Sequence, residues 1–171
     1  NSVMSDYLGR IYVERYFSAE AKADVESIVA DIIATFEDRI EALDWMGQET
    51  KEKAITKLKT IKVKIGYPDK WDDPLKDISI KTYENGGSLL GNVFAISSAQ
   101  VKGAKTLLSK PVDKSKWYMP PHMVNAYYNP TNNEIVFPAG ILQPPFYDVG
   151  ASREQNLGGI GTVIAHEITH A

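Results

Sequence analysis

Two histidines and a glutamate stand together at His166, Glu167 and His170, in the pattern His-Glu-x-x-His. Residues four apart lie on one face of an α-helix, about 6 Å apart along its axis. Two imidazoles at that spacing can hold one Zn²⁺ ion, each through a ring nitrogen. The carboxylate of Glu167, next to the first histidine, can take a proton from a water at the metal. The spacing therefore predicts the site of a zinc peptidase.

A motif of this length also occurs by chance, and the competing interpretation is a pair of structural histidines beside an ordinary surface glutamate. Two of the three histidines in the chain have the ligand spacing, which favours the metal site. The third, His122, follows Pro120-Pro121 and is expected to be structural. The chain has no cysteine, so zinc would depend on histidine and carboxylate ligands.

The segment 124–128, which contains Asn125 and Ala126, is rich in strand-forming residues and is expected to present an exposed strand edge. An extended peptide can add to such an edge through its backbone. The Asn125 amide offers a donor and an acceptor to a peptide bond, or alternatively bonds to a nearby turn. With the segment 134–137 it predicts a hairpin closed by the five residues 129–133.

Three glycines, Gly158, Gly159 and Gly161, precede the histidines. Glycine is unfavourable inside a helix, so they indicate either a close approach of backbone or substrate, or a loop before a helix that begins later. We expect the final helix to begin near Asn156. Val163 precedes His166 by three residues and either lines a pocket beside the metal or packs in the core.

Amphipathic helices are predicted ahead of this region, over residues 18–46, 48–64 and 89–109. Ser18 is the expected N-cap of the first, and Gly47 is expected to end it. The six lysines between Lys51 and Lys64 predict a solvated face on the second. The expected core positions are Val25, Ile28, Val29, Ile32, Ile33, Phe36, Ile40 and Leu43, then Ala54, Ile55, Leu58 and Ile61, then Val93, Ile96, Val101, Leu107 and Leu108. The turn 66–69 ends the second helix, and residues 70–77 are expected to be irregular.

The fold class expected is mainly α with a small β hairpin or sheet, divided at the breaker-rich segment 117–121. Residues 1–116 form a mostly helical region, and residues 117–171 carry the edge strand and the zinc helix. The hydrophobic fraction of 43% and the charged fraction of 24% are typical of globular proteins. A net charge of −3 gives no reason to expect a nucleic-acid partner, and no apolar run is long enough for a transmembrane segment.

Several further segments match a known pattern in the same order along the chain: 8–14, 43–46, 65–69, 125–128, 135–146, 158–161 and 166–170. Together they closely resemble the neprilysin-like M13 family of zinc metalloendopeptidases, with residues 75–109 the least similar. The lack of cysteine resembles the bacterial oligopeptidases of the PepO type more than the disulfide-rich animal members.

The resemblance implies a role for eight residues. His166 and His170 would be zinc ligands, and Glu167 would be the catalytic base. Asn125 and Ala126 would hold the substrate backbone, and an apolar pocket for the residue after the scissile bond would be lined by Ile141, Phe146 and Val163. The family's third zinc ligand, a Glu in a Glu-x-x-x-Asp pattern, would lie beyond residue 171. The chain is therefore expected to be a fragment that spans the end of a helical cap domain and the start of a thermolysin-like (gluzincin) catalytic domain.

The function expected of the intact protein is hydrolysis of internal peptide bonds in oligopeptides, with a preference for a hydrophobic residue after the cleaved bond. The fragment alone is expected to bind Zn²⁺ weakly and to be inactive. The alternatives are a non-catalytic interaction module built on the helix 18–46, and an inactive peptide-binding relative. The expected location is the bacterial cytoplasm, with export or anchoring through a segment outside these residues as the alternative.

Overall fold

The structure, a computed structural model, describes residues 3–71, 73 and 75–171. Its helices are α1 (Ser5–Tyr16), α2 (Ala19–Glu41), α3 (Gln48–Lys59), α4 (Leu89–Leu107), α5 (Arg153–Gly158) and α6 (Ile160–Thr169), with a short 3₁₀ turn at Tyr83–Asn85. Its strands are β1 (Lys62–Gly66), β2 (Tyr127–Asn129) and β3 (Glu134–Pro138). The predicted fold class, mainly α with a small sheet, is confirmed. The predicted irregular segment 70–77 includes Asp72 and Pro74, which lie outside the described residues.

The sheet has the strand order β1-β3-β2, so that β3 is its central strand. β3 pairs parallel to β1 and antiparallel to β2, and every residue of β3 is buried. The predicted hairpin is confirmed, although its first strand begins at Tyr127 instead of residue 124 and its loop has four residues, 130–133. Asn133 closes that loop with φ of 51°, a left-handed conformation that asparagine tolerates.

The predicted helix 48–64 is wrong at its C-terminal end, because α3 stops at Lys59 and residues 62–66 form β1. Val63 and Ile65 alternate with lysines, which is the two-residue period of a strand. Hydrogen bonding to β3 stabilises this segment as a strand instead of a helix. Lys64 lies on the opposite face of the strand from Val63 and Ile65. It is buried and its Nζ lies 2.8 Å from Oε2 of Glu134, so the predicted solvated face is wrong for this lysine.

One hydrophobic core joins the helices to the sheet. Seven of its deeply buried members come from α2, β3 and α6: Val25, Ile28, Val29, Ile135, Phe137, Ile160 and Ile164. The predicted N-cap is confirmed, since Ser18 Oγ accepts from the backbone N–H of Ala21. The predicted end of the helix is wrong: α2 stops at Glu41, where its stripe has become only half-buried. A non-catalytic interaction module built on α2 would need the apolar stripe of this helix to be exposed. The first half of the stripe is instead buried in the core.

The predicted helix 89–109 is confirmed as α4, Leu89–Leu107, with Ser88 as its N-cap. Of its expected core positions Ile96 is buried, Val93 is half-buried, and the other three are exposed: Val101, Leu107 and Leu108. Hydrophobic periodicity identifies the apolar face of a helix but not whether another element covers it. In the part of the chain that the structure describes, no helix combines the length and apolarity needed to cross a bilayer.

Candidate active site

Helix α6 is held by its apolar face and turns its two histidines toward solvent. Ile160, Ile164 and Ile168 recur at four-residue steps, are buried, and pack toward α2 and the core. His166 and His170 lie on the other side of the helix and are both exposed. The apolar stripe therefore determines which way the two imidazoles face.

The two imidazoles converge. Nε2 of His166 lies 3.0 Å from Nε2 of His170, and the two ring planes are at 90° to each other. Two nitrogens that share a tetrahedral Zn²⁺ at its usual bond length would stand about 3.3 Å apart. The donor set therefore fits two ligands of one zinc ion. Within residues 3–71, 73 and 75–171, no group of three or more His, Cys, Asp or Glu side chains is close enough to hold a metal.

Glu167 is placed differently from its neighbours. Its side chain is buried, with 7% exposed, whereas both histidines are open to solvent. Helix α6 also contacts β2, the strand that directly follows Asn125 and Ala126. The carboxylate of Glu167 is therefore more enclosed than the two imidazoles of the same helix.

Asn125 and Ala126 precede β2 instead of lying in it. The observed strand is therefore shorter at its N-terminal end than the predicted one. β2 is an edge strand, which leaves one side of its backbone without a neighbour in this sheet. Asn125 is exposed, and its Oδ1 accepts from the backbone N–H of Ala126 at 2.9 Å. That bond is local, but it joins Asn125 to the next residue, whereas the alternative interpretation expects a bond to a turn.

The three expected pocket residues have different environments. Ile141 is buried in the core, Val163 packs against that core from α6, and Phe146 is exposed over 38% of its surface. The backbone carbonyl of Phe146 lies against Gly159, where any Cβ would collide with it. The close backbone approach expected among the glycines is therefore observed at Gly159.

The expected start of the final helix near Asn156 is wrong. The segment is two helices: α5 begins at Arg153 and α6 begins at Ile160. Ser152 starts α5 with a capping box, because its Oγ accepts from the backbone of Gln155 while the Gln155 side chain bonds back to Ser152. Gly159 separates the two helices with a non-helical ψ of −96°.

A set of polar contacts that the sequence did not indicate fixes the segment on both sides of Phe146. The hydroxyl of Tyr147 donates to Oδ2 of Asp24 on α2 at 2.9 Å, and burial together with this bond raises the pKa of Tyr147 well above its usual range. The Asn156 amide donates to the carbonyl of Asp148 at 2.8 Å and accepts from its N–H at 3.0 Å. Gln143 Nε2 donates to the carbonyl of Tyr16 at 2.9 Å.

Two models of one family match the chain: residues 1–68 match the N-terminal model of peptidase family M13, and residues 125–171 match a second M13 model. A neutral endopeptidase of Lactococcus lactis subsp. lactis is 47% identical over 172 residues, which cover 99% of this chain and 26% of that protein. Human endothelin-converting enzyme-like 1 is 41% identical over 166 residues, covering 95% of this chain and 21% of that protein.

Solved structures give the same result. The zinc metalloprotease Zmp1 of Mycobacterium tuberculosis superposes with a TM-score of 0.85 at 42% identity, over 99% of this chain and 24% of that one. PepO from Lactobacillus rhamnosis HN001 gives 0.86 at 40% identity, over 99% and 26%. The chain thus spans about a quarter of the length of the relatives it matches. With both family models matched and the fold shared along nearly its whole length, the chain belongs to peptidase family M13.

Proposed function

We propose that the intact protein is a zinc-dependent endopeptidase that hydrolyses internal bonds of oligopeptides. The observation that carries this proposal is the convergence of His166 and His170 on one helix, with 3.0 Å between their Nε2 atoms. Glu167 lies between them in the sequence. Membership of family M13 supports it, as do relatives named neutral endopeptidase and zinc metalloprotease. The 171 residues alone, with two such ligands in the described part, would bind zinc weakly and have negligible activity.

His166 and His170 would hold the Zn²⁺ through their Nε2 atoms, with a third ligand from the remainder of the intact protein. Bound zinc would supply Lewis acidity to the scissile carbonyl and to the attacking water. Glu167 would take a proton from that water and deliver it to the leaving nitrogen. Its low exposure limits the competing hydration of the carboxylate.

The substrate would bind in an extended conformation along the free side of β2, with Asn125 and Ala126 contacting its backbone. The pocket lined by Ile141, Phe146 and Val163 would take the residue after the cleaved bond. The exposed part of Phe146 beside residues that pack in the core supports an apolar preference there. A bacterial cytoplasmic location is proposed on the bacterial relatives, and fractionation of the source cells would distinguish it from export.

The test of the proposed base is Glu167→Gln in the intact protein. The amide keeps the size of the side chain but cannot accept the proton, so kcat should fall about 10²- to 10⁴-fold while the zinc content is unchanged. Glu52→Gln, at an exposed position of α3, is the matched control and should keep full activity. Normal turnover by the Glu167 variant would refute the assignment of the base. Peptidase activity that survives a zinc chelator would refute the zinc peptidase itself.

A further inference from the structure

The residue that follows Phe146 is anchored to a helix far away in sequence. Tyr147 is only 2% exposed, and its hydroxyl donates to Oδ2 of Asp24 on α2 at 2.9 Å. Its backbone N–H donates to the carbonyl of Gln143 at 3.1 Å, as does that of Phe146 at 3.0 Å. The ring of Tyr147 is therefore fixed inside the molecule while its neighbour Phe146 remains partly open to solvent.

Asp24 serves two partners at once. Its other oxygen, Oδ1, lies 3.5 Å from Nη1 of Arg153, the first residue of α5. Arg153 also donates to Oγ of Ser27 at 3.2 Å and pairs with Asp31. We call residues 143–148, which include Phe146, the pocket loop. One face of α2 thus holds both this loop, through Tyr147, and the start of the helix pair that leads to the histidines.

The same loop is held from its other side by α5 and α6. Asn156, which is buried, makes two hydrogen bonds to the backbone of Asp148, at 2.8 and 3.0 Å. Gly159 lies against the carbonyl of Phe146. Phe146 therefore stands between an anchor on α2 and the junction that begins the zinc helix. A shift of Tyr147 away from Asp24 would move Phe146 relative to α6.

We propose that Tyr147 is a positioning residue for substrate selectivity, whose hydroxyl, held by Asp24 of α2, sets the place of Phe146 in the pocket for the residue after the scissile bond. This inference rests on the proposed function. It assigns to α2, a helix that carries none of the expected site residues, control over which side chain the pocket accepts. Because its pKa is raised, the hydroxyl of Tyr147 stays protonated and keeps donating to Asp24 from neutral into alkaline pH.

The experiment compares two peptides that differ only in phenylalanine or alanine after the cleaved bond, with Tyr147→Phe and Asp24→Ala in the intact protein. Each change should lower the ratio of kcat/KM for the phenylalanine peptide over the alanine peptide roughly five- to tenfold, mainly through KM. The double variant should lose no more than Asp24→Ala alone, because both changes remove the same hydrogen bond between Tyr147 and Asp24. Asp24→Glu, which keeps an acceptor, should recover part of the ratio.

Tyr7→Phe is the matched control. Tyr7 lies on α1, and its hydroxyl also donates a hydrogen bond to an aspartate, Asp73. The Tyr7 variant should leave the ratio unchanged. Equal losses for both peptides in the Tyr147 variant, with a lower Tm, would mean a purely structural role and overturn the inference.

A second measurement is calorimetric binding of the two peptides to the zinc-loaded Glu167→Gln protein with and without Tyr147→Phe. Weaker binding of the phenylalanine peptide alone supports the inference, and an unchanged ratio of affinities overturns it. Wild-type protein that binds these peptides without cleaving them would overturn the proposed function but not the positioning role.

Discussion

Gly159, between α5 and α6, lies directly against the backbone of Phe146. A side chain on its α-carbon would meet the backbone carbonyl of Phe146, which cannot rotate away as the end of a flexible side chain could. The neighbouring Gly158, the last residue of α5, has no atom within 4 Å of the position that a Cβ would take. These two adjacent glycines therefore have different reasons for being small.

We expect Gly159→Ala to destabilise the protein by about 1–3 kcal/mol, because the new methyl group must push the loop and α6 apart. Gly158→Ala is the matched control and should be neutral, or stabilising by up to about 1 kcal/mol, since alanine favours a helix. Thermal unfolding and zinc content of the two intact variants measure the difference. Equal Tm values for the two variants would contradict the role given to Gly159.

Individual residues were predictable from sequence where their arrangement is local. The spacing of His166 and His170 is a property of one helix, so the convergence of their nitrogens follows from the sequence alone. Tyr147 and Asp24 are 123 positions apart, and neither belongs to a pattern that marks the other as its partner. Such a contact is set by the packing of α2 against the rest of the fold, which no local signal reports.

Among the elements, β1 is the strand that the sequence misassigned as helix. Residues 60–64 continue the lysine-rich pattern of α3, and helix propensity alone gives no reason to stop there. Pairing with the central strand β3 overrides that propensity, and it brings Lys64 beside Glu134 with 2.8 Å between Nζ and Oε2. The same Nζ donates to the carbonyl of Lys116 at 2.7 Å. This ion pair joins β1, β3 and the segment before the hairpin.

We expect Lys64→Met to destabilise the sheet by about 3–5 kcal/mol, because it leaves the fully buried carboxylate of Glu134 without its cation. The double variant Lys64→Met with Glu134→Leu should regain most of this loss, since no charge then remains buried. Native-state hydrogen exchange at the amides of β1 and β3 in the intact protein measures the opening free energy.

The matched control for the sheet is Lys53→Met, which breaks an ion pair with Glu49 whose side chains are 75% and 82% exposed. It should change the opening free energy by less than about 1 kcal/mol. A Lys64 variant that behaves like this control would show that the buried pair contributes nothing to holding β1 on β3.

At the scale of the whole molecule, one hydrophobic core contains residues from both sides of the boundary proposed at residue 117. β3 lies between β1 from the first region and β2 from the second. Helix α6 packs against α2, and Ile28 and Ile164 belong to the same buried cluster. The composition changes from helical to extended near 117, which the sequence shows, but whether each side folds independently depends on contacts between them.

We therefore expect residues 117–171 expressed alone to be unfolded, because β3 then lacks its parallel neighbour and the apolar face of α6 lacks α2. Residues 1–171 should show helical circular dichroism, bind zinc weakly through the two histidines, and cleave no peptide. Isothermal titration with Zn²⁺ and a His166→Ala, His170→Ala variant provide the metal measurement and its control. A cooperative thermal transition in 117–171 alone would establish an independent domain and refute the shared core as its requirement. Tight, stoichiometric binding of zinc to residues 1–171 would show instead that these residues already complete the metal site. The third ligand would then have to come from this chain.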